Sequence, residues 1–480
     1  MALRLLKREG MKNLRRSQSL VFALLLSAVG CGYSASDDER GGYSPAPSSP
    51  GPGESSGTGT GFPTGGGSPI SPTTTGAAGS ATSGGASTGA AGTTGAAGTT
   101  GAAGTGFAPG IQSGTLTAGT WDDNLNYDFY LRYLASMDAQ QMPGLPSIPR
   151  ERRLEIRATD GAGHPLAGAR VKVTGAAGKL FEAPTRGDGK VFYFPGVVGA
   201  TPGDKLQVSA TYGGVSASVP ATVGDAGVDL HVLGAIAAGP AALDLALVVD
   251  TTGSMGDELE YLKVEMKDIV ARVAADYPNV VQRWALILYR DLGDEYVVRT
   301  FDFTSTLSTF QSALSAQAPG GGGDFPEAPD QALAKLTTLS WSQDAVARMA
   351  FWIADAPHHA ERAGTMTQDI LTAQALGIRL YPVSASGTDE LLEYSMRSAA
   401  QVTGGRYLFL TNDSGVGGSH KEPTIPCYVV TALDKAMLRM IKMELDGTDV
   451  PPMTADVVRT TGNPSNGQCT LSSGQAVTLL

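Results

Sequence analysis

Hydrophobic and polar positions divide the chain into zones of different period. Near the start, Leu20-Val21-Phe22-Ala23-Leu24-Leu25-Leu26 forms an apolar run behind Arg4, Lys7, Arg8, Lys12, Arg15 and Arg16. The run is far shorter than the ~20 residues that span a bilayer. With the small residues after it, it reads as a secretory signal peptide over residues 1–30, starting at Met1 or Met11. Residues 31–118 show neither a helical nor a strand period; between Gly41 and Ala118 the single charged residue is Glu54, and the rest is mostly Gly, Ser, Thr, Ala and Pro. Such a segment cannot bury enough apolar surface to offset chain entropy, so it is expected to be a disordered tether. Gly recurs every third position from Gly89 to Gly104, but without Pro the run reads as a flexible linker and not a collagen-like helix.

Tyr127, Tyr130, Leu131 and Leu134 then fall at helical spacing, predicting one amphipathic helix in a lead-in segment, residues 119–149. Across 150–236 the period changes to two. Leu154-Ile156-Ala158, Val171-Val173, Val191-Tyr193, Leu206-Val208-Ala210 and Val228-Leu230-Val232 alternate with polar residues, and Gly-rich turns separate them. This predicts a small all-β sandwich. From 241 to 447, near-continuous apolar runs alternate with amphipathic helices. The runs are Leu243 to Val249, Trp284 to Tyr289, Met349 to Ala354, Ile378 to Val383 and Tyr407 to Leu410, with Val297 to Phe303 as a hairpin partner of the second. Helices are expected over Leu259 to Val270 and, last, Val430 to Leu445. Repeated strand–helix units predict an α/β domain with a doubly wound, mostly parallel sheet. Residues 448–480 are left as a C-terminal tail.

Composition sharpens this reading. The chain has 480 residues and 63 Gly, of which the tether holds the excess. A net charge of −11 argues against nucleic-acid binding. Three Cys exclude a disulfide-dense scaffold and a Cys-based zinc module. The first, Cys31, follows Ala28-Val29-Gly30 and resembles the bacterial lipobox, although Leu is the usual residue three before the Cys. That resemblance implies cleavage before Cys31 and lipid attachment to it. The exported chain then keeps Cys427 and Cys469, as a disulfide or as two free thiols.

Chemistry concentrates at the strand ends of 241–447. The first run ends in Asp250-Thr251-Thr252-Gly253-Ser254, the second in Tyr289-Arg290-Asp291, and the fourth in Ile353-Ala354-Asp355-Ala356-Pro357. Between them lies Gly320-Gly321-Gly322-Gly323-Asp324-Phe325-Pro326-Glu327. Two hydroxyls and a carboxylate on one tight turn offer hard oxygens to one point, as Mg²⁺ requires. In this order the motifs resemble the metal-ion-dependent adhesion site of von Willebrand factor A domains. The resemblance implies a divalent cation (Mg²⁺, or Mn²⁺ or Ca²⁺) held by Asp250, Thr252, Ser254 and Asp355, with an open position for an acidic side chain of a protein ligand. The family's separate metal-binding Thr aligns near Phe325, which cannot coordinate, and Asp324 stands beside it to take the role. The alternative is a metal-free Asp250 that holds the turn through backbone hydrogen bonds.

Other candidates carry less. Gly175 to Leu180 lacks the Ser or Thr of a phosphate-binding loop, and Ser254 has no base near it in sequence. His358 and His359 are expected at the rim of the site, and His420 as a lone, solvent-facing loop residue. Residues 150–236, with Asp160-Gly161 and Pro165 to Val171, resemble carboxypeptidase-regulatory-like and Cna-B-like Ig-type modules, which are spacers. The expectation is a non-enzymatic protein of the bacterial cell envelope, lipid-anchored to the outer membrane and periplasmic or surface-exposed, binding a protein through a cation. The competing readings are a subunit of a chelatase- or chaperone-like assembly, and a structural envelope protein with a vestigial metal site.

Overall fold

The computed structural model describes residues 111–323, 325–343 and 346–479. The expected signal peptide, Cys31, nearly all of the tether and Asp324 lie outside them. Strand β1 (Thr117–Trp121) and helix α1 (Tyr127–Ala139) open the described chain. Seven strands follow: β2 (Leu154–Asp160), β3 (Arg170–Gly175), β4 (Gly178–Pro184), β5 (Lys190–Tyr193), β6 (Lys205–Tyr212), β7 (Val215–Thr222) and β8 (Gly227–Val232). They form a three-stranded sheet, β5-β2-β8, and a four-stranded sheet, β4-β3-β6-β7. Ile156, Val171, Val173, Val208, Leu230 and Val232 are fully buried in the core the two sheets share.

The larger lobe continues with β9 (Ala242–Asp250), α2 (Gly256–Asp276), β10 (Val281–Tyr289), β11 (Val298–Thr304), α3 (Leu307–Ser315), α4 (Pro329–Leu336) and β12 (Val346–Ala354). After these come α5 (Ala363–Ala375), β13 (Ile378–Ser384), α6 (Glu390–Thr403), β14 (Tyr407–Leu410), β15 (Tyr428–Ala432) and α7 (Leu433–Asp446). Three short strands end the chain: β16 (Val457–Thr461), β17 (Gln468–Thr470) and β18 (Ala476–Thr478).

Nine strands make one mixed sheet in the order β11-β10-β9-β12-β13-β14-β1-β15-β16. The five strands β10-β9-β12-β13-β14 are parallel, and every other pairing is antiparallel. Strand β9 is apolar on both faces because both are covered. Its Leu243, Leu245, Leu247 and Val249 pack against α2, α3 and α7, while Ala246 and Val248 face the side of α4, α5 and α6. From β9 the chain turns first to β10 on one side and later to β12 on the other. This reversal opens a crevice outside the carboxyl ends of β9 and β12.

The sheet extends beyond the expected 241–447. Residues assigned to the end of the tether and to the lead-in form β1, which lies antiparallel between β14 and β15. Leu116 and Ala118 are fully buried there. Gly119 makes the insertion fit, because a Cβ on it would lie 2.3 Å from Phe409 Cζ. Before the strand, the backbone N–H groups of Gly114, Thr115 and Leu116 all donate to the carboxylate of Glu265 on α2. The expected tail is also structured: β16 completes the sheet, and a β17–β18 hairpin packs Val477 into the core. The first residues of the expected last helix, Val430 to Ala432, belong instead to β15. Their neighbours on β1 and β16 supply the ladder hydrogen bonds that decide the matter. Cys427 and Cys469 are joined in a disulfide with Cα atoms 6.3 Å apart. No helix among the described residues is long and apolar enough to cross a membrane.

Candidate functional site

The crevice holds the turn that follows β9. Asp250 ends the strand, Thr252 lies in extended conformation, and Gly253–Met255 form a short 3-10 turn that leads into α2. Asp250 Oδ1 accepts from the Thr252 N–H at 2.9 Å and from its hydroxyl at 2.7 Å, and the Thr252 and Ser254 hydroxyl oxygens are 3.2 Å apart. Asp355, just beyond β12, stands next to this turn, since β12 runs parallel beside β9 with Ile353 opposite Val249, and its charge acts on Asp250. The structure thus brings four of the expected residues, Asp250, Thr252, Ser254 and Asp355, to one place.

The Gly-rich loop closes the same crevice. Gly320 N–H donates to Thr251 O at 3.0 Å, and Gly253 N–H donates to Gly321 O at 3.1 Å. Gly321 and Gly322 have φ of +74° and +67°, in the left-handed region. A Cβ on Gly322 would lie 3.2 Å from both Glu327 Oε1 and Thr252 Cβ. The missing side chain therefore lets the Glu327 carboxylate approach the hydroxyl turn. Phe325 is 51% exposed, and its ring offers no oxygen to a cation.

Electrostatically the site is unbalanced. Asp250, Asp355 and Glu327 are at most 2% exposed. One oxygen of each, Asp250 Oδ2, Asp355 Oδ1 and Glu327 Oε2, is buried without a hydrogen-bond partner. Burial, and then the charge of Asp355, pushes Asp250 up to about 7. Burial, opposed by the Ser254 hydrogen bond and reinforced by Glu258, pushes Asp355 up to about 6. Burial, followed by Asp250 and Asp291, pushes Glu327 up to about 9. Backbone capping explains Asp250 Oδ1 but leaves Oδ2 without a role. Buried carboxylates are ordinarily paired or coordinate a metal. The first turn of α2 offers no cation and adds Asp257 and Glu258. Hydroxyls beside orphaned carboxylate oxygens form a hard donor set that fits Mg²⁺, Mn²⁺ or Ca²⁺. Among the described residues no group of three or more His, Cys, Asp or Glu is gathered as metal ligands would be. A cation held here would draw on the Thr252 and Ser254 hydroxyls as much as on acids.

The histidines differ from expectation. His359 does lie by the site, with Nε2 2.6 Å from Asp291 Oδ1. His358 is buried, its Nε2 2.9 Å from Gly144 O. His420, expected to face solvent, is 6% exposed and its Nε2 lies 3.0 Å from Glu258 Oε1. The loop after β14 folds back over the start of α2, a long-range contact with no sequence signal. Glu327 is the residue that pattern reading quoted without assigning a role; its place in the Gly-rich motif was the available signal.

Comparison with known proteins supports one part of the chain. A profile of the von Willebrand factor A domain matches residues 244–381. Among curated proteins, an ariadne-like RING finger protein of Acanthamoeba polyphaga mimivirus is 36% identical over 119 residues, 25% of this chain and 11% of that protein. An alpha-protein kinase of Dictyostelium discoideum is 26% identical over 139 residues, 29% of this chain and 22% of the kinase. The similarity therefore spans a small fraction of these relatives' own length. Among solved structures, BatB from Bacteroides thetaiotaomicron aligns with 42% of this chain and 98% of its own, at 16% identity and a TM-score of 0.31. The pilus adhesin SpaC from Lactobacillus rhamnosus GG aligns with 42% of this chain and 29% of its own, at 12% identity and a TM-score of 0.28. Domains of the matched family are non-catalytic adhesion and protein-interaction modules. With the β9 turn, the crevice and the profile match in agreement, residues 244–381 of this chain are a von Willebrand factor A domain.

Proposed function

We propose that this protein binds a protein ligand through a divalent cation held at the crevice of its von Willebrand factor A domain. Asp250, Thr252, Ser254 and Asp355 would hold the ion, and Asp324 is the further candidate from the Gly-rich loop. The cation would supply an electrophilic open position for an acidic side chain of the partner. The observation that carries this reading is the pair of buried, partnerless oxygens, Asp250 Oδ2 and Asp355 Oδ1, beside a turn of two hydroxyls. In the same reading the β2–β8 lobe is an Ig-like spacer, Cys31 carries a lipid, and the chain is held at the bacterial cell envelope by that anchor and the tether.

The test is calorimetric titration of Mg²⁺ and Mn²⁺ into the whole mature chain and into Asp250→Ala. Asp250 ends its strand at the crevice, so its truncation opens no apolar cavity. The wild type should bind one ion, and Asp250→Ala should lose that binding with its circular dichroism unchanged. Equal affinity in the two proteins would overturn the reading. Pull-down from native envelope with Mg²⁺ against EDTA then asks whether a partner follows the ion.

A further inference from the structure

We propose that the outer face of the β4-β3-β6-β7 sheet is a docking surface for an acidic polysaccharide. Such a surface is independent of the cation crevice and gives the β2–β8 lobe a binding task beyond that of a spacer.

Side chains alternate along these strands, so every second residue leaves the core. Val171, Val173, Leu206, Val208 and Ala210 are buried. Their neighbours Arg170, Lys172, Lys205, Gln207 and Thr211 are exposed on the opposite face. With Lys179 on β4, the cations of this face are Arg170, Lys172, Lys179 and Lys205, and Glu182 is its one acid. Strand β7 exposes Ser216, Ser218 and Pro220 there. Asp204 and Asp225 lie in the turns at the end of the sheet, where they accept from the Thr201 and Thr222 N–H groups. The chain as a whole carries −11, so this face opposes the sign of the molecule. Over about 8 Å at physiological ionic strength, the local sign counts for more than a distant net charge. The outer face of β5-β2-β8 differs: Lys190 pairs with Glu155 at 2.7 Å, and Arg157 stands opposite Asp229.

The cations are open to a ligand. Arg170 and Lys179 share Glu182, at 2.9 and 3.1 Å, in exposed pairs that hold weakly enough to exchange for another anion. Lys172 enters no ion pair among the described residues, and Lys205 Nζ donates to the Thr222 hydroxyl at 3.2 Å. Hydroxyls and an amide stand between them: Lys172 is opposite Ser209, Arg170 is opposite Thr211, and Gln207 is bonded to Ser218. Cations suit the carboxylate, sulfate or phosphate groups of an acidic sugar chain, and the hydroxyls and amide suit its hydroxyls. None of the large apolar side chains exposed among the described residues lies on these four strands. The face therefore has nothing to bury in a bilayer, and no exposed aromatic ring on which a nucleic-acid base would stack.

The experiment measures retention of the mature chain, residues 31–480 made without lipid on Cys31, on immobilised dextran sulfate and alginate. Neutral dextran, phosphatidylglycerol vesicles and duplex DNA are the other arms. The wild type should bind both acidic polymers at about 50 mM salt, leave them by about 0.3 M salt, and pass through neutral dextran. Lys172→Gln with Lys205→Gln should weaken binding roughly tenfold, with thermal melting unchanged. Arg152→Gln with Arg157→Gln, an equal loss of charge outside this face, should leave binding as it was. EDTA and Asp250→Ala should also change nothing, which separates this surface from the cation crevice. No retention on either acidic polymer, equal retention on neutral dextran, or an equal loss in the two paired variants would overturn the proposal. So would binding that EDTA abolishes, or tighter binding to the vesicles or the DNA.

Discussion

At the residue scale, the site is a set of carboxyls kept from ionising freely. Asp250 and Asp355 sit at about 7 and about 6 in the folded protein, above the ordinary carboxylate range. The folded, metal-free chain therefore keeps protons that the unfolded chain releases. From these groups, stability is fully present below about pH 4, the unfolded value, and is lost as pH rises through the folded values. Each unit of elevation corresponds to roughly 1.4 kcal/mol. Asp369, pushed up to about 7 by burial and by Asp330, acts in the same direction, so the informative quantity is a difference. Denaturant unfolding in EDTA between about pH 5 and pH 8 should show wild-type stability falling more steeply than that of Asp250→Asn. Parallel curves would mean that Asp250 does not titrate in this range.

At the element scale, β1 is the piece on which the sheet's continuity depends. It pairs with β14 on one side and β15 on the other, so its removal leaves two strands with unpaired ladders. Trp121, 1% exposed, packs edge-on against Phe129 at 5.7 Å and donates its indole N–H to Asp123 at 2.8 Å. Asp123 in turn holds the buried guanidinium of Arg397 on α6, with contacts of 3.0 and 2.7 Å. A fragment of residues 241–447 lacks both β1 and β16 and exposes their buried contact surfaces. It should be aggregated or partly unfolded by circular dichroism and gel filtration, whereas residues 111–480 should be monomeric and cooperative. A soluble, cooperatively melting 241–447 fragment would show that the central parallel strands suffice.

At the scale of the whole molecule, long-range ties hold the β-rich lobe and the chain's end against the large sheet. Arg379 donates to Pro184 O at 3.0 Å, Gln374 to Phe192 O at 2.8 Å, and Arg186 to Gly404 O at 2.6 Å. Phe192 and Phe194 enter the core of the larger lobe. The Cys427–Cys469 disulfide spans 42 residues and fastens the β17–β18 hairpin beside β15. In the chain-entropy account a loop of this length contributes about 4 kcal/mol. Reduction, or the double Cys427→Ser, Cys469→Ser replacement, should lower the melting temperature and free the hairpin to protease first. An unchanged melting temperature and cleavage pattern would remove the disulfide from the stability of this protein.

Local pattern was enough wherever one element satisfies its own requirements. Strand β9 could be read from its apolar run, α2 from helical spacing, and the strands of the β-rich lobe mostly from alternation. The turn from Asp250 to Ser254 was equally legible, because its oxygens come from consecutive residues. Strands β1 and β15 were not legible. Thr117 to Trp121 has no marked alternation, and its strand identity comes from pairing with β14 and β15, strands far along the chain. Gly119 reads as linker until Phe409 is seen to lie across it. Glu327 and His420 likewise take their environment from distant loops, one facing Thr252 across Gly322 and the other facing Glu258. The sequence alone determined which segments bury which face, since that follows from the period of their side chains. Which strands adjoin, and which acids share a crevice, was decided by tertiary structure, because ladder partners and electrostatic neighbours are set by proximity in space.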